Sequence, residues 1–129
     1  MTLVDTSVWI ATFRGRQPLR IQDVVDFDDI ATCLPVIQEV LQGFREESAY
    51  RVARDAMLSL PLVEAPMEAG IFLEAADLYR EARRRGLSVR SSTDCLIAAC
   101  ALRHDMTVLH RDRDYRMLAA VAPLKSRAV

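Results

Sequence analysis

Short apolar runs alternating with longer amphipathic stretches outline the elements of this chain. Thr2-Leu3-Val4 is an apolar run of strand length, and Thr6 to Phe13 follows it with helical spacing. Asp29 to Cys33 predicts a second strand. Pro35 suits the first position of a helix that Gly43 closes, with Val36, Ile37, Val40 and Leu41 as its apolar stripe. Glu46 to Leu60 predicts a further helix, and Leu62-Val63 a short strand bounded by prolines. Met67 to Arg85 has the period of a long amphipathic helix, with Ile71, Phe72, Ala75, Ala76 and Tyr79 as its stripe and a basic last turn before Gly86. Ser91 or Ser92 caps the next helix, which runs to His104. Thr107-Val108-Leu109 predicts a strand, and Tyr115 to Val121 a short helix.

Of the four glycines, at 15, 43, 70 and 86, three fall where helices should stop. No repeat, low-complexity segment or linker divides the chain, so residues 1–129 are expected to form one domain. Strands alternating with helices predict an α/β layer architecture with a mostly parallel sheet.

Composition narrows the class without choosing a function. With 51% apolar and 27% charged residues the chain has the balance of an ordinary soluble protein. No apolar run approaches the roughly 18 residues that span a bilayer. The acidic Asp5 arrives before any apolar leader can form, so a cytoplasmic location is expected. Cys33, Cys95 and Cys100 sit among apolar neighbours at spacings that suit neither a zinc clamp nor a disulfide framework, and are expected as buried free thiols. A net charge of −1 does not announce a nucleic-acid partner. Arginines outnumber lysines sixteen to one, Lys125 being the only lysine. Guanidinium forks suit phosphate, but coding preference gives the same bias.

The acidic residues carry the sharper signal. Open parallel sheets bind ligands beyond the carboxyl ends of their strands, where strand order reverses. Asp5 stands directly after the first strand, and Asp112 follows Leu109 after two residues. Asp94 lies in the first turn of a helix that starts near the same edge. Glu39 lies about 130° from the centre of its helix's apolar stripe, a position that suits a cleft or open solvent. Each acid also has an ordinary reading. Asp5 and Asp94 suit helix starts, Asp112 and Asp114 suit a polar turn, and Glu39 suits a surface. Spacing leaves both readings open.

The local wording around these acids resembles the PIN-domain nucleases. Val4-Asp5-Thr6-Ser7-Val8-Trp9-Ile10 resembles their opening motif, and Pro35-Val36-Ile37-Gln38-Glu39-Val40-Leu41-Gln42-Gly43 their second. Ser92-Thr93-Asp94-Cys95-Leu96-Ile97-Ala98-Ala99 is similar to the third, and Leu109-His110-Arg111-Asp112-Arg113-Asp114-Tyr115 to the fourth. The resemblance covers Thr2 to about Val121 in family order, and within the family it is nearest to VapC toxins of type II toxin–antitoxin pairs. It implies a three-layer α/β/α fold with a short sheet, endoribonuclease activity, a need for Mg²⁺ or Mn²⁺, a VapB-type antitoxin and a homodimer. On matching positions the catalytic and metal-binding acids become Asp5, Glu39, Asp94 and Asp112. Asp114 is a further metal candidate, and Thr6 and Thr93 place hydroxyls beside the acids.

That residue set suits the chemistry. Hard divalent cations prefer oxygen ligands, and a bound cation can activate a water and stabilise charge on a phosphodiester. Neither His104 nor His110 is needed as a base; His104 suits a helix C-terminus. Arg90, Arg111, Arg113 and Arg116 flank the last two motifs, where a phosphate-gripping rim and a chance cluster of arginines fit equally well. A haloacid-dehalogenase phosphotransferase would need an acid at position 7, which is Ser7, and a receiver domain would need an acidic pair after the first strand. Phosphate loops and G-x-G-x-x-G are absent. A catalytically silent RNA- or protein-binding module is the alternative from another class.

Overall fold

The apolar triplet near the start of the chain becomes the middle of a sheet. In the computed structural model, which describes residues 1–14 and 17–129, β1 (Thr2–Val4) pairs with β2 (Ile30–Ala31) on one side and β3 (Thr107–His110) on the other. A fourth strand, β4 (Ser126–Ala128), lies beyond β3. The order is β2-β1-β3-β4 and every pair is parallel. Thr2 lies opposite both Ile30 and Thr107, and Val4 opposite Leu109. The Asp5 N–H donates to the Leu109 carbonyl at 2.9 Å, carrying the ladder one residue past β1.

Neighbouring residues of a strand point to opposite faces. Leu3 and Val4 are both fully buried, as are Val108 and Leu109, so both faces of the central strands are covered. Helices α1 (Thr6–Phe13), α2 (Leu34–Gln42), α3 (Glu47–Leu58), α4 (Ala69–Arg84), α5 (Ser92–Arg103) and α6 (Asp114–Val121) supply the cover. This is the expected three-layer α/β/α arrangement. The innermost helix is α5, on which Cys95, Ile97, Ala98, Ala99, Cys100 and Ala101 are all buried. A helix apolar on nearly every side belongs in a core; here it packs against α4, α6 and α2.

Helix ends follow local chemistry. The extended Asp5 caps α1, its carboxylate accepting the Ser7 N–H at 3.0 Å. After α4, Gly86 adopts φ +74°, Leu87 N–H donates to the Ala82 carbonyl at 2.9 Å and Gly86 N–H to that of Arg83 at 3.0 Å. This paired closure needs a left-handed residue that glycine provides without strain. Gly43 also ends a helix, but with φ −81°, a conformation open to any residue. The Arg14 guanidinium donates to the Gly43 carbonyl, and a Cβ at position 43 would meet only the movable end of that exposed side chain.

Several expectations shift. Only part of the predicted α4 stripe is buried: Ile71 and Ala75 are, joined by Ala82, whereas Phe72 is 51% and Tyr79 37% exposed. Ala76 is exposed as well. The buried row follows the side packed on α5, one step round from the predicted face. Leu34 precedes Pro35 as the first residue of α2. The second strand contracts to Ile30–Ala31 because Phe27–Asp29 forms a 3₁₀ turn. Leu62-Val63 contributes one isolated parallel bridge to Thr32 instead of a strand. β4 had no sequence signal, being short and polar at the sheet edge. The three cysteines are buried and free. Gly15, expected near a helix stop, lies outside the described residues.

Candidate metal centre

The strand order reverses between β1 and β3. Chain continuations from β1 reach β2 on one side, while β3 and β4 lie on the other, which places a crevice at their carboxyl ends. Asp5 leaves β1 into that crevice. His110 ends β3, and the turn after it delivers Asp112 and Asp114. Helix α5 ends just before β3 starts, so its first turn, with Asp94, faces the same carboxyl edge. Each aspartate arrives through a different local rule, and the parallel sheet brings them together.

Asp94, Asp112 and Asp114 form the tightest group. Each offers a carboxylate oxygen, and the three oxygens lie within 4.8 Å of one another. The fourth-motif turn is organised from within: Asp112 Oδ1 accepts the Asp114 N–H at 2.9 Å, and His110 Nδ1 accepts the Asp112 N–H at 3.3 Å. His110 is buried, and burial holds its pKa below the usual histidine value. Asp114 is completely buried and does two things. Its Oδ2 accepts the N–H groups of Arg90 and Ser91, both at 2.9 Å, tying the start of α6 to the start of α5. Its Oδ1 is buried with no hydrogen-bond partner, 3.9 Å from the Arg90 guanidinium. Asp94 Oδ2 is likewise buried and unpartnered.

Two unpartnered buried carboxylate oxygens in one cluster are costly. At about 4 Å, each like-charged pair repels by roughly 4 kcal/mol at an effective dielectric near 20. The fold responds by protonation. Burial, then the Asp5 charge and the neighbouring Asp114 carboxylate, push Asp94 up to about 9. A divalent cation would replace that proton and satisfy both oxygens, and the all-oxygen donor set suits a hard ion. Thus Asp94, Asp112 and Asp114 could hold a metal ion.

Asp5 and Glu39 lie near enough to this group for their charges to couple with it. Asp5 is buried, with Oδ2 accepting the Ser7 N–H and the Ser7 hydroxyl. Glu39 is half-buried on α2, and its Oε1 accepts the Thr6 hydroxyl at 2.8 Å. Burial raises its pKa, with the Asp5 and Asp112 charges adding to the effect against the Thr6 bond. Glu39 therefore faces the cluster electrostatically while touching solvent. It lines a groove of about 270 Å³ with Thr93, Met67 and Phe72. A second cavity of about 410 Å³ opens on the Asp112 side and is lined by Arg111, Arg113 and Arg116. Among the described residues, none of these three arginines has a carboxylate within 4 Å. A larger cavity of about 610 Å³ lies between α4 and α5, away from these acids.

One residue of the site escaped the sequence reading. Tyr115 is fully buried, and its hydroxyl donates to Asp5 Oδ1 at 2.5 Å, with Asp94 Oδ1 3.4 Å away. Its position next to Asp114 was the one signal; a tyrosine in an apolar helix register reads as core.

The chain is similar to known proteins over most of its length. The family profile described as "PIN domain" matches residues 2–121. Ribonuclease VapC11 of Mycobacterium tuberculosis is 35% identical over 131 residues, covering 98% of this chain and 97% of that protein. Ribonuclease VapC17 of the same organism is 34% identical over 123 residues, covering 94% and 89%. Among solved structures, DNA-bound VapBC from Salmonella typhimurium superposes with a TM-score of 0.78 at 16% identity, covering 98% of this chain and 96% of that one. That last likeness speaks for the fold alone.

Proposed function

This chain belongs to the PIN domain family, and from that premise we propose that it is a Mg²⁺- or Mn²⁺-dependent endoribonuclease, the toxin of a VapBC-type pair. The observation that carries this reading is the meeting of Asp5, Glu39, Asp94, Asp112 and Asp114 at the β1/β3 crevice, with two buried oxygens lacking partners. The proposal treats residues 1–129 as one nuclease domain. The ribonuclease names of the relatives support the RNA substrate.

In this reading Asp94, Asp112 and Asp114 hold the cation, with Asp5 and Glu39 completing the acidic ring. Such a cation supplies a more acidic water and stabilises charge on the attacked phosphate and leaving oxygen. The chain's own groups do the rest. Thr6 orients Glu39 at the solvent side, where it can accept a proton from an attacking water. Asp114 locks the two helix starts that carry the acids. Arg111, Arg113 and Arg116 offer guanidinium groups to RNA phosphates, offsetting the negative pit that would otherwise repel them.

A VapB-type antitoxin and a second copy of the chain belong to the same proposal. Solved structures of similar fold are toxin–antitoxin complexes. On α4, Phe72 and Leu73 are 51% and 67% exposed, leaving apolar surface for a partner. A cytoplasmic site of action fits too: among the described residues no helix is long and apolar enough to cross a membrane.

The test is cleavage of total RNA with Mg²⁺ and with EDTA, beside the Asp5→Asn variant. Mg²⁺-dependent cleavage by the parent chain, lost in the variant, is expected. Equal cleavage by both refutes a reaction through this site, and cleavage by neither leaves the silent-module reading standing.

A further inference from the structure

Tyr115 is the bulkiest fully buried side chain among the described residues. Its ring packs on His110, with centroids 4.9 Å apart. A phenylalanine would fill the same space, so the buried hydroxyl calls for a polar partner. The two within reach, Asp5 and Asp94, are acids of the centre. A phenol keeps its hydrogen at neutral pH, so this hydroxyl is a donor. A phenol has one hydrogen to give, and the 2.5 Å contact assigns it to Asp5 Oδ1.

Asp5 is thereby gripped from two sides. Its Oδ2 takes both donors of Ser7, whose oxygen accepts the Arg111 N–H at 2.9 Å. Its Oδ1 takes the donor from α6. An ionised carboxylate has about four lone-pair sites; three are used, and the fourth lies on Oδ1.

We propose that Tyr115 is a positioning residue of the metal centre: its hydroxyl fixes the Asp5 carboxylate so that one oxygen lone pair is offered to a divalent cation held by Asp94, Asp112 and Asp114. This rests on the metal-dependent reading above. Without the hydroxyl, Asp5 Oδ1 is free to turn, and the ordering must be made when the cation binds. Outer partners of metal ligands typically contribute 10–100-fold in affinity or activity.

The experiment is a Mn²⁺ titration of RNA-free protein followed by electron paramagnetic resonance, comparing the parent chain with Tyr115→Phe. The Kd should rise tenfold or more with unchanged far-ultraviolet circular dichroism, and Mg²⁺-dependent cleavage should recover as the metal is raised. A role limited to packing would leave the Kd unmoved, because phenylalanine keeps the ring; an unchanged or lower Kd overturns the proposal. The same exchange in an Asp5→Asn background should leave Mn²⁺ affinity where it was. A repeat of the full loss there shows that the hydroxyl does not act through Asp5 and also overturns the proposal. Asp5→Asn relieves repulsion among the acids, so this pair reports even if Tyr115→Phe alone is poorly folded. If the parent chain binds no Mn²⁺, the metal-dependent reading itself fails, and this inference fails with it.

Discussion

Asp94→Asn replaces the acid whose proton is most strongly retained by the fold. The carboxyl is 5% exposed and faces Asp5, Asp112, Asp114 and the Tyr115 hydroxyl. Burial leads the causes that push it up to about 9, whereas an aspartate in an unfolded chain titrates near 3.9. Between those values the metal-free folded chain carries one proton more than the unfolded chain. The stabilisation linked to that proton is fully present below the unfolded value and is lost as pH climbs towards the folded one, by about 1.4 kcal/mol per pH unit. From about pH 7 to about 8.5 this amounts to roughly 2 kcal/mol. The window lies above the titration of His110, lowered by burial, and the buried cysteines are common to both proteins. At about 4 °C per kcal/mol for a chain of this size, the parent chain in EDTA should lose about 8 °C in melting temperature relative to Asp94→Asn. Thermal unfolding followed by circular dichroism measures it. Saturating Mg²⁺ should flatten the parent curve by replacing the proton. Parallel curves for the two proteins in EDTA would refute the reasoning.

Other outcomes follow from the same geometry. Mg²⁺ or Mn²⁺ at about 100 times its Kd should stabilise the chain by roughly 2.7 kcal/mol; melting temperatures identical to those in EDTA would count against a shared site. Changing Arg111, Arg113 and Arg116 together to alanine should weaken RNA binding and flatten its salt dependence by about 0.7 for each phosphate no longer neutralised, read by fluorescence anisotropy across a salt series. Ile71→Ala, at a fully buried position, should cost about 2–5 kcal/mol in urea unfolding, while the exposed Phe72→Ala should stay within about 0.5 kcal/mol. Gly86→Ala should cost about 1–2 kcal/mol, because its φ of +74° lies where a Cβ is strained and nothing stands within 4 Å to clash.

The central strands and the helix order were legible because their periods are local. Leu3-Val4 and Val108-Leu109 read as buried strands, and Val36, Ile37 and Val40 as a buried helix face, which they are. On α4 the pattern misled: apolar residues cover more than one side of the helix, and only packing on α5 selects Ile71, Ala75 and Ala82 over Phe72 and Tyr79. β4 was invisible because an edge strand is held by backbone bonds to β3, which Ser126-Arg127-Ala128 makes without an apolar signal.

For the acids, sequence alone determined which residues carry carboxylates beside strand ends and helix starts, and the motif wording selected Asp5, Glu39, Asp94 and Asp112 from eighteen acidic residues. Tertiary structure decided how they divide. Asp94, Asp112 and Asp114 share one pocket of oxygens, Asp114 spends its second oxygen on the Arg90 and Ser91 amides, and Asp5 is tied to Tyr115 across 110 residues of chain. Spacing along a chain fixes which face a residue occupies within its own element. Only the parallel register of β1 against β3, which sets their carboxyl ends side by side, fixes what that residue meets.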